Sequence, residues 1–191
     1  MRKLIAAINM TLDGFCDHTA MRPDDVQMEH YNELYRNADL EIFGRVTYQL
    51  MEEYWPEIAK TQNDDKLSNE FAVLIDDIPK IVYSRTLQTV NWQPTELKHE
   101  LAKEEIVELK DREGKNILVG GPSLIVQLTK LGLIDEYQIC VHPTILGSGL
   151  PLFKNITDKV ELTLLETKTF GNGAVLLRYK PAEVKTDMVG V

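Results

Sequence analysis

The chain contains 191 residues, and 21 Lys and Arg residues against 30 Asp and Glu residues give it a formal net charge of −9. This length predicts one domain over residues 1–191, large enough to bury roughly 70% of its unfolded surface. The acidic balance argues against nucleic-acid binding, and no apolar run reaches the roughly 18 residues that a membrane helix needs. The two cysteines, Cys16 and Cys140, form no C-x-x-C pair, which disfavours a disulfide framework and indicates a reducing cytosol.

Short apolar runs alternate with helical patterns through the first part of the chain. The predicted strands cover residues 4–8, 40–43, 81–83 and 117–119. Apolar residues recur at helical spacing over residues 31–38, 46–54 (ending before Pro56), 102–109 and 124–131. The polar stretch 60–66 predicts a surface loop, and the charged run 96–113 predicts the solvated face of a helix. This alternation predicts crossover connections and a mainly parallel sheet with helices on both faces.

The last part of the chain has the pattern of antiparallel strands. Apolar and polar residues alternate over residues 137–142 and again over residues 160–164. Gly171-Asn172-Gly173 then supplies residues that tolerate positive φ, and residues 174–179 return as a strand. These patterns predict an antiparallel hairpin that closes the sheet. The tail after residue 181 is expected to be loosely held.

The turn after the second predicted strand is a candidate phosphate site. Gly44, Arg45 and Thr47 stand where this strand meets the following helix. A helix start exposes unpaired N–H groups and the positive end of the helix dipole, which attract phosphate. Gly44 lets a ligand approach the backbone, Arg45 adds charge and Thr47 adds a hydroxyl. The alternative is an ordinary strand–turn–helix connection with a surface arginine.

Two other predicted strand ends have a related composition. The segment Gly120-Gly121-Pro122-Ser123 forms a tight turn aimed at a helix start, although such a turn also occurs for backbone reasons alone. Ser84 and Arg85 follow the third strand, where they could hold a second phosphate or form a solvated turn. The G-x-G-x-x-G and P-loop patterns are absent. Together, the three strand ends predict an extended nucleotide across one sheet edge.

Acidic residues follow the first strand and begin the first helix. Asp13, followed by Gly14, could orient a substrate from a loop over the reaction centre, or could belong to a plain turn. Asp25 and Glu29 are further candidate acids, and we expect Asp24 or Asp25 to complement the helix dipole. The four histidines lie far apart without ligand spacing, so no metal site is predicted.

Several of these segments resemble, in order, the motifs of dihydrofolate reductases. They are Leu4-Ile5-Ala6-Ala7, residues 42–48 (IFGRVTY) and residues 117–121 (ILVGG). Residues 11–14 (TLDG), 133–137 (LIDEY) and 142–153 (HPTILGSGLPLF) are more similar to a sister group, the reductase domain of the bacterial riboflavin-biosynthesis deaminase/reductase and its stand-alone relatives. The resemblance covers about residues 2–180. It implies a dihydrofolate reductase-like α/β fold, with a central, mostly parallel eight-stranded sheet, flanking helices and a C-terminal antiparallel hairpin.

The resemblance also implies an activity and a set of site residues. The enzyme would use NADPH to reduce a C=O or C=N bond of a small pteridine-, pyrimidine- or ribosylamine-like substrate, similar to 5-amino-6-(5-phosphoribosylamino)uracil reductase of riboflavin biosynthesis. By position, Ala7 would contact the nicotinamide, and Ser84 and Arg85 would bind the 2′-phosphate. The pyrophosphate and the adenosine side would be held by Gly44, Arg45 and Thr47. The other side of the pyrophosphate would be held by Gly120, Gly121 and Ser123. From their own positions in the chain, we expect Asp13, then Asp25 or Glu29, to contact the substrate, and a positioned acid or a water that it orients to return the proton. Gly147, Ser148 and Gly149 would present N–H groups to a substrate phosphate, or form a plain bend.

The chain departs from dihydrofolate reductases where the pterin should bind. Residues 21–29 contain no Trp after Pro23, which makes folate a doubtful substrate. Two alternatives stay open, a true dihydrofolate reductase and an NADP-binding module without catalysis. The resemblance favours a homodimer, the cysteine usage indicates the cytoplasm, and the expected binding partner is a small-molecule substrate.

Overall fold

The computed structural model describes residues 1–19 and 21–183. Its strands are β1 (Leu4–Thr11), β2 (Ala38–Gly44), β3 (Lys80–Tyr83), β4 (Thr95–Lys98), β5 (Asn116–Gly120), β6 (Glu136–His142), β7 (Leu162–Thr169) and β8 (Val175–Pro181). Its helices are α1 (Asp25–Arg36), α2 (Arg45–Thr61), α3 (Lys66–Asp77), α4 (Lys103–Asp111) and α5 (Pro122–Lys130). None of these described helices combines the length and the apolar character needed to cross a bilayer. Most of the tail that was expected to be loosely held, from residue 184 onward, lies outside the described residues.

The strands form one eight-stranded sheet in the order β4-β3-β2-β5-β1-β6-β8-β7. Every pair from β4 to β6 is parallel, whereas β8 runs antiparallel to both β6 and β7. The turn between β7 and β8 contains Gly173, whose φ of +81° suits the predicted glycine turn. The mostly parallel sheet and its C-terminal antiparallel hairpin are therefore confirmed.

Helices cover both faces of the parallel part of the sheet. One face packs against α4 and α5 through a core that includes Ile42, Ile106 and Leu128. The opposite face, called the α1 face below, packs against α1, α2 and α3 through a core that includes Tyr35 and Phe71. Burial on both faces explains why the parallel strands read as nearly continuous apolar runs.

Helix α2 continues through Pro56 to Thr61, although the sequence predicts its end before the proline. Proline removes one helical N–H donor and crowds the preceding turn. Packing onto α3 offsets this cost, because the Trp55 ring lies 4.6 Å from the Phe71 ring, centroid to centroid. The prediction was wrong because it weighed local propensity without this tertiary contact.

Two other segments differ from their predicted form. The loop predicted over residues 60–66 is shorter, since α2 ends at Thr61 and α3 begins at Lys66. Asp65 caps α3, because its side chain accepts the N–H groups of Leu67 and Ser68. The charged run 96–113 contains β4 and α4 rather than one helix. β4 is a four-residue edge strand, too short to show a clear period in the sequence.

The fold brings the predicted site segments to one edge of the sheet. β3, β2, β5 and β1 are neighbours in that order and run parallel, so their carboxyl ends lie side by side. Three strand spacings of about 4.8 Å span about 14 Å along this edge. Open sheets of this type bind ligands outside the carboxyl ends of their strands.

Candidate functional site

Two helix starts meet at the carboxyl edge of the sheet. Helix α2 starts directly after Gly44 and α5 directly after Gly121, and neither start has a side-chain cap. A Cβ on Gly44 would lie 3.3 Å from Ser123 Oγ, and a Cβ on Gly121 would lie 2.2 Å from Thr47 Oγ1. The close approach of the two turns therefore requires glycine at position 121. Paired helix N-termini of this kind attract an anion.

Arginine side chains extend this edge on the β2 and β3 side. Arg45 is exposed in the first turn of α2. The Ser84 hydroxyl accepts the N–H groups of Thr86 and Leu87 at 3.2 Å and 3.0 Å, so it shapes the turn that presents Arg85. Arg85 is exposed and pairs with no residue in the described part of the chain. The edge thus carries positive charge on a protein of net charge −9.

A cavity of about 330 Å³ opens on the α1 face beside these turns. Ala7 of β1 lines it, together with Gly120 and Gly121 at the end of β5. Its inner walls are mainly apolar, and they include Leu34, Phe43, Met51, Trp55, Phe71 and Leu118. Ligand pockets of about 300–1,000 Å³ with such walls and a few polar groups hold small molecules.

One polar cluster of the cavity is centred on Asn9. The Asn9 side-chain oxygen accepts hydrogen bonds from Gln27 Nε2 at 3.0 Å and from the Tyr31 hydroxyl at 2.7 Å, and His142 Nε2 lies 3.0 Å from the same oxygen. Asn9, Tyr31 and His142 line the cavity, and burial lowers the pKa of His142. Asn9 Nδ2 has no partner in the described part of the chain, so it can donate to a ligand.

A buried acid forms a second polar group of the cavity. Glu41 lies on β2, is 4% exposed and lines the cavity. Its Oε1 accepts a hydrogen bond from the Tyr35 hydroxyl at 2.7 Å, and its Oε2 has no partner among the described residues. Burial raises the pKa of Glu41 to about 8, so the carboxyl is mainly neutral at pH 7. Asp17 also lines the cavity and accepts a hydrogen bond from the Thr19 N–H at 2.8 Å.

Asp13 connects two loops rather than facing the cavity. Its carboxylate accepts hydrogen bonds from the Thr11 hydroxyl at 2.6 Å and from the Gly147 N–H at 2.7 Å. These bonds, the one from Thr11 first, lower the pKa of Asp13. The Gly147 N–H that was predicted to hold a substrate phosphate therefore donates to Asp13 in this structure. Ser148 and Gly149 are exposed in the same loop.

The two acids predicted on α1 lie at its surface. Asp24 is the N-cap and accepts the Gln27 N–H at 2.8 Å, which confirms that one of the two adjacent acids complements the helix start. Asp25 is exposed in the first turn, and Glu29 pairs with Arg36 at 2.8 Å on the exposed side. Among the described residues that line the cavity, the acids are Asp17 and Glu41 instead of the three predicted ones.

The sequence contained signals for some of the missed residues. Glu41 is a single acid within the predicted buried strand 40–43, and an acid in such a run needs a partner or a function. Asn9 directly follows the apolar run of the first strand. Tyr31 and Tyr35 matched a core stripe, and His142 was considered only as a metal ligand. Nothing local indicated that these side chains share one cavity.

Comparisons with solved structures identify the fold. A candidate riboflavin biosynthesis protein from Shewanella sp. PV-4 superposes with a TM-score of 0.73 at 20% identity, covering 95% of this chain and 99% of that chain. Dihydrofolate reductase from Enterococcus faecalis, complexed with NADP(H), superposes with a TM-score of 0.62 at 13% identity, covering 95% and 97% of the two chains. The fold is therefore dihydrofolate reductase-like.

Sequence comparisons identify the family. The chain is 32% identical over 186 residues to the uncharacterized protein YyaP of Bacillus subtilis, covering 93% of this chain and 94% of YyaP. It also matches the RibD C-terminal domain over residues 2–176. Because this match spans most of its residues, the chain belongs to the RibD C-terminal domain family.

Proposed function

We propose that the protein is an NADPH-dependent reductase, which delivers hydride to a C=O or C=N bond of a small pteridine-, pyrimidine- or ribosylamine-like substrate. Membership of the RibD C-terminal domain family supports reductase chemistry. The cavity beside Ala7 supports a small-molecule substrate, because its size and apolar walls suit a planar ring. A homodimer remains a prediction of the family resemblance.

The junction of α2 and α5 is the observation that carries the proposal. At Gly121 the backbone has a φ of +93°, and a Cβ would collide with Thr47. Glycine here keeps two uncapped helix starts in contact, which suits a pyrophosphate. NADPH, when bound, supplies the hydride. The residues that fit its phosphates are Gly44, Arg45, Thr47, Gly120, Gly121 and Ser123 for the pyrophosphate and Arg85 for the 2′-phosphate, with Ser84 shaping the turn.

The cavity residues would then hold the substrate next to the nicotinamide. The apolar walls exclude water, which strengthens each polar contact inside the cavity. Asn9 Nδ2 supplies a hydrogen-bond donor at one polar cluster. Ala7, at the junction of cavity and sheet edge, would contact the nicotinamide carboxamide through its backbone.

The first experiment is a titration of the protein with NADPH and with NADH. We expect distinctly tighter binding of NADPH, because Arg85, which is exposed and makes no bond to any described residue, is free to pair with the 2′-phosphate. Arg85→Ala should weaken NADPH binding by about tenfold or more, in line with the loss of a charge-assisted hydrogen bond. NADH binding should change little.

Arg112→Ala is the matched control for the loss of one positive charge. Arg112 is exposed, pairs with Glu108 and precedes β5, at the opposite edge of the sheet, so its removal should leave both affinities unchanged. Equal binding of NADPH and NADH by the wild type, or equal weakening by Arg85→Ala, would contradict the assignment of Arg85. NADPH binding without turnover on a panel of carbonyl, imine and pteridine compounds would favour the non-catalytic module.

A further inference from the structure

Glu41 and Tyr35 form a polar floor in an otherwise apolar part of the cavity. Glu41 comes from the centre of the sheet and Tyr35 from the last turn of α1. Both residues line the cavity, and both are buried, at 4% and 8% exposure. Their hydroxyl–carboxyl hydrogen bond of 2.7 Å fixes one oxygen of the carboxyl group. The other oxygen, Oε2, has no partner among the described residues.

A nearby cation does not neutralise this acid through a hydrogen bond. Lys80 is the neighbour of Glu41 in the β2–β3 register and is also buried. Its Nζ donates to the carbonyl oxygens of Asp76 at 2.9 Å and Ile78 at 2.8 Å, and it lies 4.2 Å from the centre of the Trp92 ring. The ammonium group of Lys80 is therefore committed to other acceptors, so the Glu41 carboxyl has no ion pair with any described residue.

The protonation state of Glu41 follows from this environment. Burial raises the pKa of Glu41, and the Tyr35 hydroxyl and the positive charge of Lys80 lower it less, which leaves it at about 8. A neutral carboxyl has one O–H donor. Because Oε1 already accepts from Tyr35, the unpartnered Oε2 is the atom that can carry the proton and donate. Such an unpaired buried donor destabilises the free protein unless a ligand or water satisfies it.

We propose that the Glu41–Tyr35 pair is the inner substrate subsite, in which Oε2–H donates a hydrogen bond to a ring nitrogen or carbonyl oxygen of an uncharged planar heterocycle. The inference rests on the proposed reductase function, because that function places the substrate in this cavity. To that function, the inference adds the chemical class of substrate that the Glu41–Tyr35 pair selects. A ligand without an acceptor atom leaves the carboxyl unsatisfied. An anionic ligand finds no positive charge to pair with, because the acid is neutral and the enclosure is apolar. The subsite therefore disfavours both kinds of ligand.

The test uses 1,3-dimethyllumazine, a heterocycle that has acceptor atoms, no N–H group and no charge between about pH 6 and about pH 10. Its binding to the 191-residue chain is measured by equilibrium dialysis without NADPH. We expect binding at neutral pH and weaker binding as the pH rises above 8, because Glu41 then loses its proton. Glu41→Leu should weaken binding by about tenfold, through the loss of one hydrogen bond.

Glu41→Gln separates hydrogen bonding from structural support. The amide keeps a donor of similar shape but does not titrate, so the variant should bind within about threefold of the wild type. Its affinity should show no decline near pH 8. Burial also lowers the pKa of Lys80 to about 8, so a decline that persists in this variant belongs to Lys80. Glu53→Leu, at an exposed position of α2, controls for the added leucine and should bind as the wild type does. Thermal melting confirms that each variant is folded.

Three results would overturn the inference. They are an absence of dimethyllumazine binding to the wild type, unchanged affinity in folded Glu41→Leu, and the same decline with pH in Glu41→Gln as in the wild type. The last result would assign the titration to Lys80. The dialysis contains no NADPH, so it is independent of the cofactor titration. A negative result with Arg85→Ala would contradict the cofactor assignment and would leave the outcome of the dialysis unaffected.

Discussion

The backbone conformation of Gly121 determines the shape of the proposed cofactor site at the carboxyl edge of the sheet. Its φ of +93° and ψ of +131° lie where residues with a Cβ are strained. The side chain of Thr47 fills the space that a Cβ would need. Both the strain and the contact therefore act at one position, and both set how closely α2 and α5 approach. Gly132 provides a comparison, since its φ is +66° and nothing lies within 4 Å of its Cβ position.

We predict that Gly121→Ala and Gly132→Ala differ in both stability and cofactor binding. Gly132→Ala should lower the free energy of unfolding by about 1 kcal/mol, the cost of a left-handed backbone for alanine. Gly121→Ala should lower it by about 2–4 kcal/mol, because collision with Thr47 adds to the strain. Urea unfolding measures both values. NADPH affinity should fall only in Gly121→Ala, and equal effects of the two changes would contradict the close approach of the turns.

At the scale of elements, periodicity identified the units that bury a regular apolar stripe. Strands β1, β2, β3 and β5 and helices α1, α2, α4 and α5 were predicted for this reason. β4 lacked such a signal because it is a short edge strand. α3 does carry an apolar stripe, since Leu67, Phe71 and Ile75 recur at helical spacing, but the sequence prediction assigned no helix to it. The passage of α2 through Pro56 depends on contact between Trp55 and Phe71, which come from different helices. No local pattern contains that contact.

Helix α2 gives a prediction at this scale. Pro56→Ala restores the N–H that the helix lacks at this position, so it should raise the free energy of unfolding by about 1–2 kcal/mol, after the greater entropy of the unfolded alanine chain is counted. Glu57→Ala, at the next and exposed position of α2, should change it by less than about 0.5 kcal/mol. Urea unfolding of both variants checks this. A loss of stability in Pro56→Ala would mean that packing on α3 requires the proline ring.

At the scale of the whole molecule, topology joins segments that are far apart in sequence. The residues proposed for the phosphates of the cofactor lie at the ends of β2 and β5 or soon after β2, β3 and β5, and each of these segments could be recognised from its own glycine, arginine or hydroxyl residues. Ala7 lies within β1 and was assigned only through the family resemblance. The substrate side could not be recognised in this way. Glu41 and Tyr35 belong to different elements of the α1 face. Tyr35 matches a core position when viewed alone, and Glu41 stands out only as a single acid within a buried strand. Only the packing of α1 on β2 shows that the two form one polar floor.

Cofactor binding should be visible in the stability of the entire fold. The proposed NADPH contacts come from β1, β2, β3 and β5, so NADPH should bind the folded chain and not the unfolded chain. At about 100 times Kd, such a ligand adds about 2.7 kcal/mol to the free energy of unfolding. For a protein of this size, the melting temperature should rise by roughly 5–10 °C.

Differential scanning calorimetry with NADPH, and with NADH at the same concentration, measures this rise. NADH should produce a smaller rise, and Arg85→Ala should bring the two cofactors to similar values. An unchanged melting temperature in saturating NADPH would contradict the proposed cofactor edge, since a ligand that binds four strands of the folded sheet must stabilise it.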